Sequence, residues 1–163
     1  MLSKLFIESI VSNLHLSEIT NVISEDHNKD YEGMLFQIEN HSYRSRLAKA
    51  TPKKRGYFVV FWEKDENNKN QPYSFSESPD KVIISIIDHN LKGQFIFPKS
   101  TLLKKGILSS ETTKGKMATR VYPSWENELN KTAAQTQKWQ HDYFIDLSDN
   151  PNNRDRLEDL YFN

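Results

Sequence analysis

A chain of 163 residues with 36% hydrophobic and 12% aromatic content is long enough for one hydrophobic core and short for two, and its composition excludes a fibrous or mainly disordered polymer. It has no cysteine, so disulfides, thiolate zinc sites and cysteine nucleophiles are excluded, which fits a reducing cytoplasm. Twenty-two basic residues balance 22 acidic ones, and net charge alone therefore argues against a polyanionic partner.

At the N-terminus, Leu2, Leu5, Phe6, Ile10 and Leu14 recur at helical spacing and predict an amphipathic helix. Lys4 and Glu8 interrupt any signal-type apolar core. No stretch approaches the roughly 18–20 apolar residues of a membrane span, so a soluble, cytoplasmic protein is expected. Ile19 to Ile23 fits either more helix or a short strand, and Glu25 to Gly33 reads as a polar, acidic connection. Met34 to Ile38 and Ser42 to Ala48 read as neighbouring strands across the turn signal Asn40-His41. Alternation then sets Arg44, Arg46 and Ala48 on one face, with Tyr43, Ser45 and Leu47 on the other.

Pro52 and Gly56 punctuate the basic run that follows, and the apolar run Tyr57 to Trp62 predicts a strand covered on both faces at the centre of the core. Lys64 to Pro72 is a loop or hairpin tip. Val82 to Ile87 and Gln94 to Phe97 form a hairpin about Asp88 to Gly93, and Lys99 to Lys105 suits a short helix stopped at Gly106. Ala118 to Tyr122 is a last strand before Pro123. Lys131 to Leu147 predicts a helix carrying Trp139, Tyr143 and Phe144, broken at Asn150 to Asn153, and Arg154 to Phe162 a terminal helix with Leu157, Leu160 and Tyr161 on one side. This succession predicts an α/β (α+β) fold, a single domain over residues 1–163 with a mixed β-sheet flanked by helices.

The charges are blocked along the chain. Residues 40–62 hold six cations and no acid, residues 92–125 seven cations and one acid, and the other segments are net acidic. Two basic blocks folded onto one face would make a positive groove on a neutral protein. Cations interleaved with rings are what single-stranded nucleic acid requires, the former for phosphates and the latter for bases. The candidate phosphate contacts are Arg44, Arg46, Lys49, Lys53, Lys54 and Arg55 from one side, and Lys99, Lys114, Lys116, Arg120 and Lys138 from the other. Trp125 and Trp139 have polar neighbours and are the stacking candidates, whereas Tyr57, Phe58 and Trp62 are assigned to the core. No Walker, G-x-S-x-G, G-x-G-x-x-G or H-E-x-x-H motif occurs, and no cofactor is expected. Asp88-His89-Asn90 at a strand end is the most metal-like cluster, with Glu63 and Asp65 at the end of the central strand as its candidate partners, although such residues more often form polar turns.

At these same residues the sequence resembles the MepB family. The matching motifs are RLAKATPKKRGYFVVFW at 46–62, GQFIFPKSTLLKKGILS at 93–109, GKMATRVYPSW at 115–125 and TQKWQHDYF at 136–144, and the resemblance covers most of residues 34–147. It implies a fold similar to the PD-(D/E)XK endonucleases, nucleic acid as partner, and an association with multidrug-efflux genes. The nuclease chemistry needs carboxylates to hold a metal at the scissile phosphate, with a lysine two residues after the last acid. No lysine here has an Asp or Glu two positions before it, and the Pro79-Asp80 pair lacks the second half of the motif. A non-catalytic binder of single-stranded RNA or DNA, rather than of duplex, is therefore expected. A metal-dependent nuclease with displaced ligands and a protein-interaction module are the alternatives.

Overall fold

The computed structural model describes residues 1–14, 18–149 and 153–163. In chain order the elements are α1 (Leu2–Asn13), β1 (Thr20–Ser24), a 3-10 segment (Asp26–Tyr31), β2 (Met34–Ile38), β3 (His41–Leu47), β4 (Lys49–Thr51), β5 (Lys54–Val60), β6 (Trp62–Lys64) and β7 (Asn70–Pro72). Then follow β8 (Lys81–Asp88), β9 (Leu91–Pro98), α2 (Lys99–Lys104), β10 (Ala118–Val121), α3 (Lys131–Gln140), β11 (Phe144–Asp146) and α4 (Arg154–Phe162).

Six strands form the main sheet in the order β1-β2-β3-β8-β9-β11. The sheet is mixed: β3 runs parallel to β8, and the other neighbours are antiparallel. Alternation divides its side chains between two cores. Met34, Phe36, Tyr43, Ile83 and Ile96 meet Ile7, Ile10 and Val11 of α1 and Leu157, Leu160 and Tyr161 of α4. On the opposite face Val82, Ile84, Ile86, Phe95 and Phe97 meet Tyr57, Val59 and Val121 from a second, three-stranded sheet ordered β10-β5-β4, with Leu102 of α2. The fold is thus an α+β domain with a mixed sheet flanked by helices on one side and by a small sheet with helices on the other. No helix among the described residues is long and apolar enough to cross a membrane.

Three expectations are corrected. In α1 the buried face is Ser3, Ile7, Ile10 and Val11, while Leu2 and Leu5 are 57% and 65% exposed. Ser3 sets that rotation, because its backbone N–H and hydroxyl both donate to Glu32 Oε1, at 2.8 and 2.7 Å. The strand after Gly56 belongs to the small sheet and is covered on one face: Tyr57, Val59 and Phe61 are buried, Phe58, Val60 and Trp62 only half-buried. The helix from Lys131 ends at Gln140, a 3-10 turn follows, and Phe144 and Ile145 enter opposite cores as β11 pairs with β9. Of the break expected at Asn150 to Asn153, residues 150–152 lie outside the described residues. Of Ile19 to Ile23, Ile19 is half-buried against the α1-side core and the rest falls in the edge strand β1, whose five residues are all exposed.

Candidate nucleic-acid interface

The β4–β5 hairpin turns at Pro52-Lys53, so Lys53, Lys54 and Arg55 sit exposed at its tip and on the start of β5. β5 then pairs antiparallel with β10, setting Arg120 opposite Phe58 and Val121 opposite Tyr57. That one pairing joins the two basic segments of the sequence. Arg120 Nη1 donates to the Arg55 carbonyl at 3.0 Å, Nη2 donates to Thr51 Oγ1, and the guanidinium lies 5.8 Å from the Phe58 ring centre. Arg120 therefore braces the basic hairpin from beneath while carrying charge of its own.

Two grooves open on this surface and share Arg120 and Tyr122. The first, about 410 Å³, runs past Lys53, Lys54 and Arg55 to the start of α3. The second, about 340 Å³, lies between β10, the end of α2 and α3, and is bordered by Lys105, Lys116, Phe58 and Trp139. Gln140, 1% exposed, fixes α3 against β10: its Nε2 donates to the Arg120 carbonyl at 3.0 Å and its Oε1 accepts from Tyr122 N at 2.9 Å. Lys105 stands just before Gly106, whose φ of +75° stops α2, and its amine lies 5.3 Å from the Trp139 ring centre. Glu128 is an acid within the first groove and holds Arg55 at 3.0 Å, a pair 55% and 79% exposed. Such exposed pairs contribute about 1 kcal/mol or less, so Arg55 is readily released to a competing anion.

Of the remaining predicted residues only Trp139 borders either groove, although Lys49 stands opposite Phe58 on β4. Lys49 covers Tyr31 and Lys99 covers Phe75, each amine 4.8 Å from the ring centre. Lys114 and Lys138 are exposed but border neither groove. Trp125 is half-buried against Tyr57 and Phe144, its Nε1 donating to Tyr57 Oη at 3.2 Å, and is not a free stacking surface. Trp139 borders the second groove but packs on Phe97 at 5.5 Å. Two residues outside the candidate set, Lys105 and Tyr122, belong to the grooves; Lys105 was signalled only by the basic block 92–125, and Tyr122 by its place in the run of cations and rings from Lys114 to Trp125.

Arg44 and Arg46 share a face of β3, but that face is inside the protein, with 6% and 0% exposure. β3 is an interior strand, and the segment carrying Glu25 and Asn28 closes over it. Arg46 uses all five of its N–H donors: Nε to Val60 O, Nη1 to Glu25 Oε1 and Ser45 O, and Nη2 to Asn28 Oδ1 and Tyr73 Oη. Arg44 Nε shares Glu25 at 3.1 and 3.2 Å, with its guanidinium 3.6 Å from the Tyr73 ring centre. These arginines bind Glu25, not phosphate. Burial by itself would raise the Glu25 carboxyl, but Arg46 and Arg44 outweigh it and hold the group below the ordinary 4.5. A group depressed in this way contributes stability that is present above about pH 4.5 and lost as pH falls through its folded-state value. Glu25→Gln should accordingly remove that acid-limb contribution in urea midpoints measured against pH, and an unchanged acid limb would contradict the pairing.

The acids considered for a metal are dispersed. Glu63 accepts from Gln71 Nε2, Asp65 closes its turn by accepting from the N–H groups of Asn67 and Lys69, and Asp88 accepts from Tyr57 Oη at 2.7 Å. Asp80 caps the start of β3 by accepting from Ser42 N and Oγ. Among the described residues no three His, Asp or Glu side chains are grouped to hold a metal ion.

A family model described as MepB-like matches residues 25–146. The chain belongs to the MepB-like family. The crystal structure of MepB superimposes with a TM-score of 0.82 at 50% identity, covering 91% of this chain and 98% of that one. A bacterial homing endonuclease, I-Ssp6803I, aligns at a TM-score of 0.49 and 10% identity over 86% of each chain. No curated protein matches. The matched segment of this MepB-like chain contains the basic hairpin, both grooves' strands and all of α3, and it also contains Glu25, the acid that removes Arg44 and Arg46 from the surface.

Proposed function

We propose that this MepB-like protein binds single-stranded nucleic acid along the two grooves that meet at Arg120 and Tyr122. The observation that carries the reading is the β5–β10 pairing, which sets Arg120 beside the hairpin of Lys53, Lys54 and Arg55, with Tyr122 shared between their groove and the one bordered by Phe58, Lys105, Lys116 and Trp139. A strand needs cations in series for successive phosphates and flat apolar surfaces for its bases. Both line the two adjoining grooves that share Arg120 and Tyr122, on a protein whose net charge is zero. The chain acts on this view as a binder and not a catalyst, in the cytoplasm, and the family's association with multidrug-efflux genes would work through nucleic acid rather than through a drug.

Fluorescence anisotropy with labelled single-stranded RNA, single-stranded DNA and duplex DNA over a salt series tests this, with magnesium present and the strands checked on a gel afterwards. Each phosphate contact on a single strand contributes about 0.7 to the slope of log K against log salt. Lys53→Ala combined with Lys54→Ala should lower that slope by about 1.4 and weaken binding by about ten-fold at low salt. An unchanged slope removes the hairpin from the interface, and cleaved strands would replace the binding reading with a nuclease.

A further inference from the structure

The second groove is the size of one nucleotide rather than of a helix. At about 340 Å³ it stands at the small end of ligand pockets, which run from about 300 to 1,000 Å³. Its three rings are not equivalent. Phe58 is met edge-on by Tyr31 at 6.2 Å and overlain by Arg120, and Trp139 is taken by Phe97 and Lys105. Tyr122 has no ring partner among the described residues, and it borders both grooves. Its ring is set in place from behind, because a Cβ on Gly56 would lie only 2.7 Å from Tyr122 Cδ1 and Cε1. The backbone of β5 thus packs directly on one side of the ring.

Resting on the single-strand reading above, we propose that the pocket of Phe58, Tyr122 and Trp139 takes one unpaired base of the bound strand, stacked on Tyr122. The phosphate on one side of that nucleotide meets Arg120 and the hairpin cations, and the phosphate on the other meets Lys105 and Lys116. The shared chemistry is a nucleoside phosphate, and its source is the strand and not a free nucleotide, because the cations continue past the pocket along the first groove. Stacking of this kind is indifferent to base identity, since every base has a π-face.

The test compares two labelled strands of about twelve nucleotides, one of thymidine and one of abasic residues with the same number of phosphates. Wild-type protein should bind the thymidine strand about ten-fold more tightly. Tyr122→Leu should bind both strands alike, Tyr122→Phe should keep the preference, and the double hairpin variant should weaken both strands equally. Equal binding of the two strands by wild-type protein overturns the base pocket while leaving the strand-binding reading intact, and this comparison needs no variant that folds. Absence of binding to either strand overturns the strand-binding reading itself. A thymidine monophosphate that binds as tightly as the strand overturns the assignment of the source.

Discussion

Arg46→Met is expected to lower the stability of the protein by about 3–5 kcal/mol, the usual cost of removing one partner from a buried ion pair. Methionine fills much of the same space, so the effect isolates charge and hydrogen bonding from volume. Five donors disappear at once, and the acceptors they served are buried at Asn28 Oδ1, Tyr73 Oη and the Ser45 carbonyl and half-buried at Glu25 Oε1 and the Val60 carbonyl. Against a total stability of about 5–15 kcal/mol, such a loss leaves a measurable unfolded fraction under mild conditions. Urea unfolding followed by circular dichroism should show a lower midpoint with an unchanged m-value. Arg46→Lys should fall between, because an ammonium keeps the charge and loses the planar fork. Glu25→Gln should cost a similar amount, since two guanidiniums would then share the interior without their anion, where Arg44 Nη1 and Asn28 Nδ2 already lack a partner among the described residues. A midpoint shift worth less than about 1 kcal/mol for Arg46→Met would mean that water replaces the lost donors and that the site is less closed than its 0% exposure states.

The same arginines mark where sequence reasoning stopped. Alternation along β3 correctly paired Arg44 with Arg46 on one face, because period two is a property of the strand alone. Which face meets solvent is decided by what packs on it, and the covering acid lies about twenty residues earlier, in a polar segment without periodicity. Strands β2, β8 and β9 and helices α2 and α4 were legible because each carries its own apolar pattern and its own stop signal, such as Gly106 after α2. β11 was not, because Phe144 and Ile145 continue a helical composition and only pairing with β9 draws them into the sheet. The grooves show the same division. The sequence contained both basic blocks as local runs, but that they share one surface follows from the β5–β10 pairing. Tyr122 looks like the last residue of a strand until Gly56 is seen behind it.

Gly56→Ala should consequently damage both the fold and the interface, by an amount no exposed alanine substitution would reach. Gly56 has φ +78°, a left-handed conformation that costs a residue with a Cβ roughly 1–2 kcal/mol. The added methyl would also stand 2.7 Å from the Tyr122 ring and 2.9 Å from the Val121 carbonyl oxygen. A ring can swing aside; the carbonyl belongs to β10, paired to this strand, and cannot move without disturbing the ladder. Overpacking of this kind adds about 1–3 kcal/mol, so the expected loss is roughly 2–5 kcal/mol. If the ring yields first, Tyr122 tilts into the second groove and the preference for a strand with bases over an abasic one falls. If β10 yields first, Arg120 loses its place under the Arg55 carbonyl and binding to both strands weakens together. Gly56→Ala combined with Tyr122→Ala separates these outcomes, since deleting the ring relieves its clash but leaves the backbone strain and the Val121 contact. Partial recovery of the melting temperature in the double variant, without recovery of base preference, is the expected result. Full stability of Gly56→Ala alone would show that the β4–β5 hairpin tolerates a shift here, and that Tyr122 is held by something other than the bare backbone behind it.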